Sequence, residues 1–146
     1  ADSWKMPHQP KAADVSCSPI HNTTTMQLTK LTPMLYTNDL QGTVDFYTQT
    51  LGFTCKSFSK EWGWASLTFG GIDIMVSIPN EHIPFDKANF TGSFYFLTNN
   101  ADIFWEQLKD KTSICYPIED FEYGMREFAI YDNNGYLLQF GHELTS

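Results

Sequence analysis

The side chains able to hold a ligand are unevenly spread along the chain. Trp62 and Trp64 stand two apart, Asp73 interrupts the apolar run IDIMVSI, and Ser93 and Tyr95 alternate with Phe94 and Phe96. Glu119-Asp120-Phe121-Glu122-Tyr123 then leads into YGMREFAIYDNNGYLLQFGHE at 123–143. Flat rings beside carboxylates suit a flat organic cation. Each stacked pair adds about 0.5–1.5 kcal/mol beyond burial, with cation–π attraction if the guest is charged. An acidic rim at Glu119, Asp120 and Glu122 would speed capture and sort ligands by charge, or would be no more than a solvated loop.

Covalent chemistry finds less support. G-x-S-x-G, the P-loop and the dinucleotide fingerprint are absent, and no local Cys–His pairing occurs. Arg126 and Glu127 are strand neighbours pointing to opposite faces, so they do not act on one substrate, and Arg126 is expected to be structural. His8 and His21 fall in a leader, while His82 and His142 read as surface residues.

The elements that position these residues follow from hydrophobic period and turn chemistry. The final stretch is a hairpin with strands at about 124–131 and 136–142 around Asp132-Asn133-Asn134-Gly135. Upstream, LTPMLYT at 31–37 is a strand whose Pro33 belongs at an edge or a crossing. Asn38-Asp39 caps a helix over about 40–50 that stops at Gly52. Strands follow at about 53–59, 62–69 and 72–78, the last two joined at Gly70-Gly71, and residues 79–92 form a connector.

The order then repeats, with a strand at 93–98, a helix near 100–110, a short strand near 114–118 and the hairpin. An offset of 61 carries Thr32 onto Ser93, Tyr36 onto Leu97, Asn38 onto Asn99 and Tyr47 onto Leu108. The fold class is therefore α+β, with two βαβββ modules (about 31–78 and 93–142) forming a curled mixed sheet with helices on its convex face. Alternation assigns Ile72, Ile74, Val76 and Ile78 to the helix side, and Trp64, Asp73, Ser93 and Tyr95 to the hollow.

The chain of 146 residues suits one domain, here 26–146, and 16% aromatic residues is a generous share. Residues 1–25 lack hydrophobic period and read as a disordered or added leader ahead of Met26. The net charge of −8 argues against nucleic acid and favours a cationic ligand. Three scattered cysteines imply a reducing compartment, and no apolar run reaches membrane length, so a soluble, cytoplasmic protein is expected.

TPMLYTNDLQGTVDFYTQTLGF, GGIDIMVS and YGMREFAIYDNNGYLLQFGHE together resemble the vicinal-oxygen-chelate superfamily of glyoxalases, bleomycin-resistance proteins and extradiol dioxygenases. The similarity spans roughly 31–142 and leans toward the bleomycin-resistance type. It implies paired βαβββ modules and a homodimer with clefts at the subunit junction. The metal enzymes of the superfamily place His, Gln or Glu ligands at positions that fall here on Thr32, Asp73, Ser93 and Gln139. One carboxylate, two hydroxyls and an amide make a poor divalent site, so no metal, no cofactor and no catalytic residue are expected.

The resemblance instead implies sequestration, without turnover, of a planar, cationic, bleomycin-like antibiotic. Trp64, with Trp62, and Tyr123 fall at the stacking positions of that group, and Pro33 matches a proline at which its N-terminal strand crosses to the partner. The expected ligand-binding set is Tyr36, Trp62, Trp64, Asp73, Ser93, Tyr95, Phe121, Tyr123 and Gln139. The alternative reading is a metal-dependent glyoxalase-like lyase or dioxygenase of the same superfamily.

Overall fold

A computed structural model describes residues 26–145. The leader expected over residues 1–25 lies outside the described residues, as do His8 and His21. Eight strands and two α-helices follow in the order β1 (Met34–Tyr36), α1 (Leu40–Asp45), β2 (Thr54–Ser59), β3 (Trp64–Phe69), β4 (Ile72–Ser77), β5 (Phe94–Leu97), α2 (Ala101–Leu108), β6 (Ser113–Phe121), β7 (Met125–Tyr131) and β8 (Leu137–Glu143). They form two four-stranded mixed sheets, β1-β4-β3-β2 and β5-β8-β7-β6. In each, the first strand runs parallel to the last and the remaining pairs are antiparallel. This is the expected pair of βαβββ modules, each with its own mixed sheet.

The internal repeat is exact at the helix starts. Asp39 caps α1 through Gly42 N–H, and Asn100 caps α2 through Asp102 and Ile103 N–H, so the offset of 61 carries cap onto cap. Tyr47 and Leu108, aligned by the same offset, are 0% and 1% exposed. The helix of 40–50 is α-helical only to Asp45. Residues Phe46–Thr50 form a π-turn in which Leu51 N–H donates to Phe46 C=O at 3.2 Å. Thr48 Oγ donates back to the Val44 carbonyl at 2.8 Å, competition that loosens the α-helical ladder.

One core runs through both modules. In the first, Leu35, Leu67, Ile74 and Val76 back onto Val44 and Tyr47 of the helical segment. In the second, Phe128 stacks on Phe140 at 5.2 Å, with Trp105 edge-on to Phe128 and Phe104 stacked on Phe140. Ile72 and Ile78, expected on the helix face, are 45% and 38% exposed because they lie at the strand's extremities.

Buried polar bonds fasten the modules together. Tyr47 donates its hydroxyl to Asp132 Oδ2 at 2.8 Å, while Asn134 and Tyr136 N–H donate to Asp132 Oδ1. Thr37 and Thr43, both 0% exposed, bond to each other at 2.8 Å and to the Asn133 and Asn134 side chains. Gly135, at φ 91°, closes that hairpin turn as the Asn-Gly signal anticipates.

β6 is longer than the short strand expected near 114–118 and includes Glu119, Asp120 and Phe121. Pro117 is tolerated because β6 is an edge strand, and register shifts flank it between Ile114 and Glu119. Among the described residues no helix is long and apolar enough to cross a membrane.

Candidate functional site

The face of the second sheet turned away from α2 is built around one carboxylate. Strand alternation sends Arg126 to the helix side, where it binds Asp102 at 2.8 Å and Asp120 at 2.7 Å. Arg126 is thus structural, and the charge of Asp120 is engaged there rather than offered at a cleft rim. The same alternation turns Glu127 to the face away from α2, where it is 0% exposed.

Three phenols converge on Glu127. Tyr116 donates to Oε1 at 2.9 Å, Tyr123 donates to the same oxygen at 2.5 Å, and Tyr95 donates to Oε2. The chain extends outward, since the Gln139 amide donates to Tyr116 Oη at 2.8 Å and Ser93 Oγ donates to Gln139 Oε1. Gly141 makes this possible. A Cβ there would stand 2.2 Å from Tyr95 Oη and 3.1 Å from Glu127 Cβ, so only the bare backbone lets the Tyr95 hydroxyl cross β8.

Phenol donors compensate the buried carboxylate, and no cation pairs with Glu127 among the described residues. Burial, then the Glu127 hydrogen bond and charge, push the Tyr95 and Tyr123 hydroxyls well above the ordinary tyrosine range. Tyr116 is raised first by burial and then by the Glu127 charge, against a lowering bond from Gln139.

The sign of the pH effect follows. A proton held more tightly in the folded chain contributes stability that is complete below about pH 10 and is lost as pH rises further. In an absorbance titration of the folded protein, these three tyrosines are expected to ionise above the unfolded tyrosine range. Glu127→Gln should bring part of that titration down. A native curve centred on the unfolded value would disprove the cluster.

A cavity of about 350 Å³ lies where β4, β5 and the segment before β1 meet, lined by Lys30, Asp73, Ile74, Ser93, Phe94 and Tyr95 among others. Lys30 Nζ is paired with Asp73 Oδ2, whereas Asp73 Oδ1 is buried without a hydrogen-bond partner among the described residues. These are the metal-ligand positions of the resemblance, and they do not fit a divalent ion. Asp73 is held by an ammonium, Ser93 and Gln139 are hydrogen-bonded to each other, and Thr32 precedes β1. Among the described residues no three His, Cys, Asp or Glu side chains converge to hold a metal. His82 is exposed, and His142 accepts from the Ala101 N–H at 2.9 Å, which supports the start of α2.

The expected ligand set divides. Asp73, Ser93 and Tyr95 share the cavity, and Ser93, Tyr95, Tyr123 and Gln139 share the Glu127 network. Trp64 is half-buried on the open side of the first sheet, opposite Ser77. Tyr123 lies beyond β6 in the second, and no ring contact joins the two among the described residues.

Trp62 sits in the β2–β3 turn at 80% exposure and is not among the residues lining the cavity or bonded in the Glu127 network. Phe121 is only 8% exposed, stacked on Tyr123 and edge-on to Tyr116, and supports those rings. Tyr36 lines a different cavity of about 330 Å³ with Phe85, Phe90 and Phe94, its backbone N–H and C=O both bonded to Tyr136 Oη. Sequence reasoning missed Glu127, Tyr116, Gly141 and Lys30. The parity that placed Gln139 on the open face placed Glu127 there too, and that was the available signal.

The arrangement of paired modules has known counterparts. The sequence profile of the Glyoxalase/Bleomycin resistance protein/Dioxygenase superfamily matches residues 27–140. The chain belongs to this superfamily. Similar solved structures include a glyoxalase/bleomycin resistance protein/dioxygenase from Nocardioides, at 20% identity and TM-score 0.68, covering 85% of this chain and 89% of that one. TioX from Micromonospora sp. ML1 matches at 21% identity and TM-score 0.64 over 78% of this chain and 98% of its own. A lactoylglutathione lyase from Agrobacterium tumefaciens matches at 18% identity and TM-score 0.61 over 77% and 92%. No curated protein matches significantly. At these identities the similarity shows a shared fold, and the neighbours' names range from bleomycin resistance protein to lactoylglutathione lyase.

Proposed function

We propose that the protein binds and sequesters, without turnover, a planar cationic organic molecule of the bleomycin type. The observation that carries this reading is Glu127, a buried carboxylate hydrogen-bonded by three phenols and, among the described residues, paired with no cation, on the face of the second sheet turned away from α2. Such a group holds negative potential in place without consuming it on a lysine or arginine. The net charge of −8 acts in the same direction over longer range.

A homodimer with exchanged N-terminal arms is part of the proposal. Leu28 and Leu31 are 103% and 90% exposed immediately ahead of Pro33, and an apolar arm of this kind gains by covering a second copy.

Isothermal titration with metal-free bleomycin, on protein whose mass in solution has been measured, is expected to give saturable heat. Glu127→Gln should weaken binding about tenfold, the loss of one charge interaction of about 1.4 kcal/mol. An absence of heat at high micromolar ligand would reject bleomycin. Stoichiometric divalent metal in the purified protein, with activity lost on chelation, would reject sequestration in favour of a lyase or dioxygenase.

A further inference from the structure

We infer that the cavity between the two modules is a built site for a primary amine on a small apolar body, anchored by Asp73, with Lys30 of the N-terminal arm as its tethered competitor. The inference rests on the proposed function for the ligand being cationic, and it specifies which kind of cation.

Asp73 has an acceptor to spare. Its side chain is 15% exposed and its Oδ2 is paired with Lys30, yet its buried Oδ1 receives no hydrogen bond among the described residues. Buried acceptors are ordinarily satisfied, and one that is not, on the wall of a cavity of about 350 Å³, marks where a donor belongs. Ser93 adds to it. Its hydroxyl proton goes to Gln139, so its oxygen lone pairs remain as acceptors on the same cavity.

Lys30 shows what kind of donor fits. A primary ammonium already sits against Asp73, but on a loose mount: the Lys30 side chain is 51% exposed, and its neighbours Leu28 and Leu31 are 103% and 90% exposed. An ion pair with so exposed a partner is weak and costs side-chain entropy to hold. A free ammonium brings three N–H donors, enough for both Asp73 oxygens and the Ser93 hydroxyl. The remaining lining, including Leu31, Ile72, Phe94 and Phe96, is apolar and suits a hydrocarbon or aromatic body. A quaternary ammonium carries the charge without the donors and leaves Oδ1 unpaired.

The test uses the full chain and 2-phenylethylamine as probe, followed by calorimetry or amide chemical shifts. Saturable binding is expected, at least tenfold tighter than that of 2-phenylethanol or of the N,N,N-trimethylated amine. Lys30→Met should tighten the amine at least threefold by removing the competitor, a gain that a purely structural lysine would not produce. Asp73→Asn should weaken it at least tenfold. Because Lys30 is on an exposed arm, its variant remains informative even if Asp73→Asn folds poorly.

Equal affinity for amine and alcohol, or an amine affinity unchanged or weakened in Lys30→Met, would overturn the inference. Bleomycin titrations of the same proteins separate the two readings. Bleomycin binding without amine selectivity removes this site and leaves sequestration standing, whereas selective amine binding without bleomycin heat keeps the site and removes that drug.

Discussion

Asp132→Ala is expected to destabilise the protein by about 3 kcal/mol and lower its Tm by roughly 10 °C, measured by urea and thermal unfolding. The carboxylate accepts from the Tyr47 hydroxyl at 2.8 Å and from the Asn134 and Tyr136 N–H groups at 2.8 and 2.9 Å, at 6% exposure. Truncation strands all three donors, one of them on the fully buried Tyr47. Asp132→Asn keeps an acceptor for the two backbone groups and should cost less than half as much.

The pH dependence adds a second check. Burial raises the Asp132 carboxyl, against hydrogen bonds from Tyr136, Tyr47 and the turn that lower it. A raised carboxyl contributes stability that is fully present below its unfolded value near 3.9 and is lost as pH rises through the folded value. Asp132→Asn should lack that loss. A destabilisation under 1 kcal/mol in Asp132→Ala would mean that the hairpin is not tied to the first module through this residue.

Gly141→Ala should disconnect the tyrosine cluster. The added methyl would lie 2.2 Å from Tyr95 Oη and 3.0 Å from its Cζ, so the ring must leave and its bond to Glu127 must break. Losing a charge-assisted hydrogen bond and shifting a half-buried ring costs about 2–3 kcal/mol, and Gly141→Val should cost more. The signature is specific. Tyr95 should ionise closer to the unfolded tyrosine range while Tyr116 and Tyr123 stay high. Loss of stability with no change in the tyrosine titration would show that the glycine serves packing alone.

Much of this architecture is legible in local signals. Asp39 and Asn100 announce two helix starts, Gly70-Gly71 and Asn134-Gly135 two hairpins, and the alternation in 125–131 separates Arg126 from Glu127. The π-turn at Phe46–Thr50 is not legible, because it depends on a threonine hydroxyl competing for a carbonyl within an otherwise good helical pattern. The length of β6 is hidden as well, since Pro117 and Glu119-Asp120 carry loop chemistry that an edge strand with register shifts accommodates.

The site shows the same division. Parity assigns Asp73, Ser93, Tyr95 and Gln139 to the open faces, and the structure joins them by cavity or hydrogen bond. Parity cannot say how two sheets are placed, so it does not relate Trp64 of the first to Tyr123 of the second. Nor can it show that Tyr95 reaches across Gly141 to Glu127, which requires knowing that β5 and β8 are neighbours in parallel register, with Leu97 beside Gly141.

The seam between the modules also bears on how sequence change is tolerated. Tyr47 and Thr43 of the first half complete the hydrogen bonding of Asp132, Asn133 and Asn134 in the second. Neither half carries its own full set of partners, so the halves share one cooperative melting transition. Substitutions that would be neutral within a free-standing repeat are judged here by their effect on the opposite half, and drift between the two copies is constrained most strongly at these five positions.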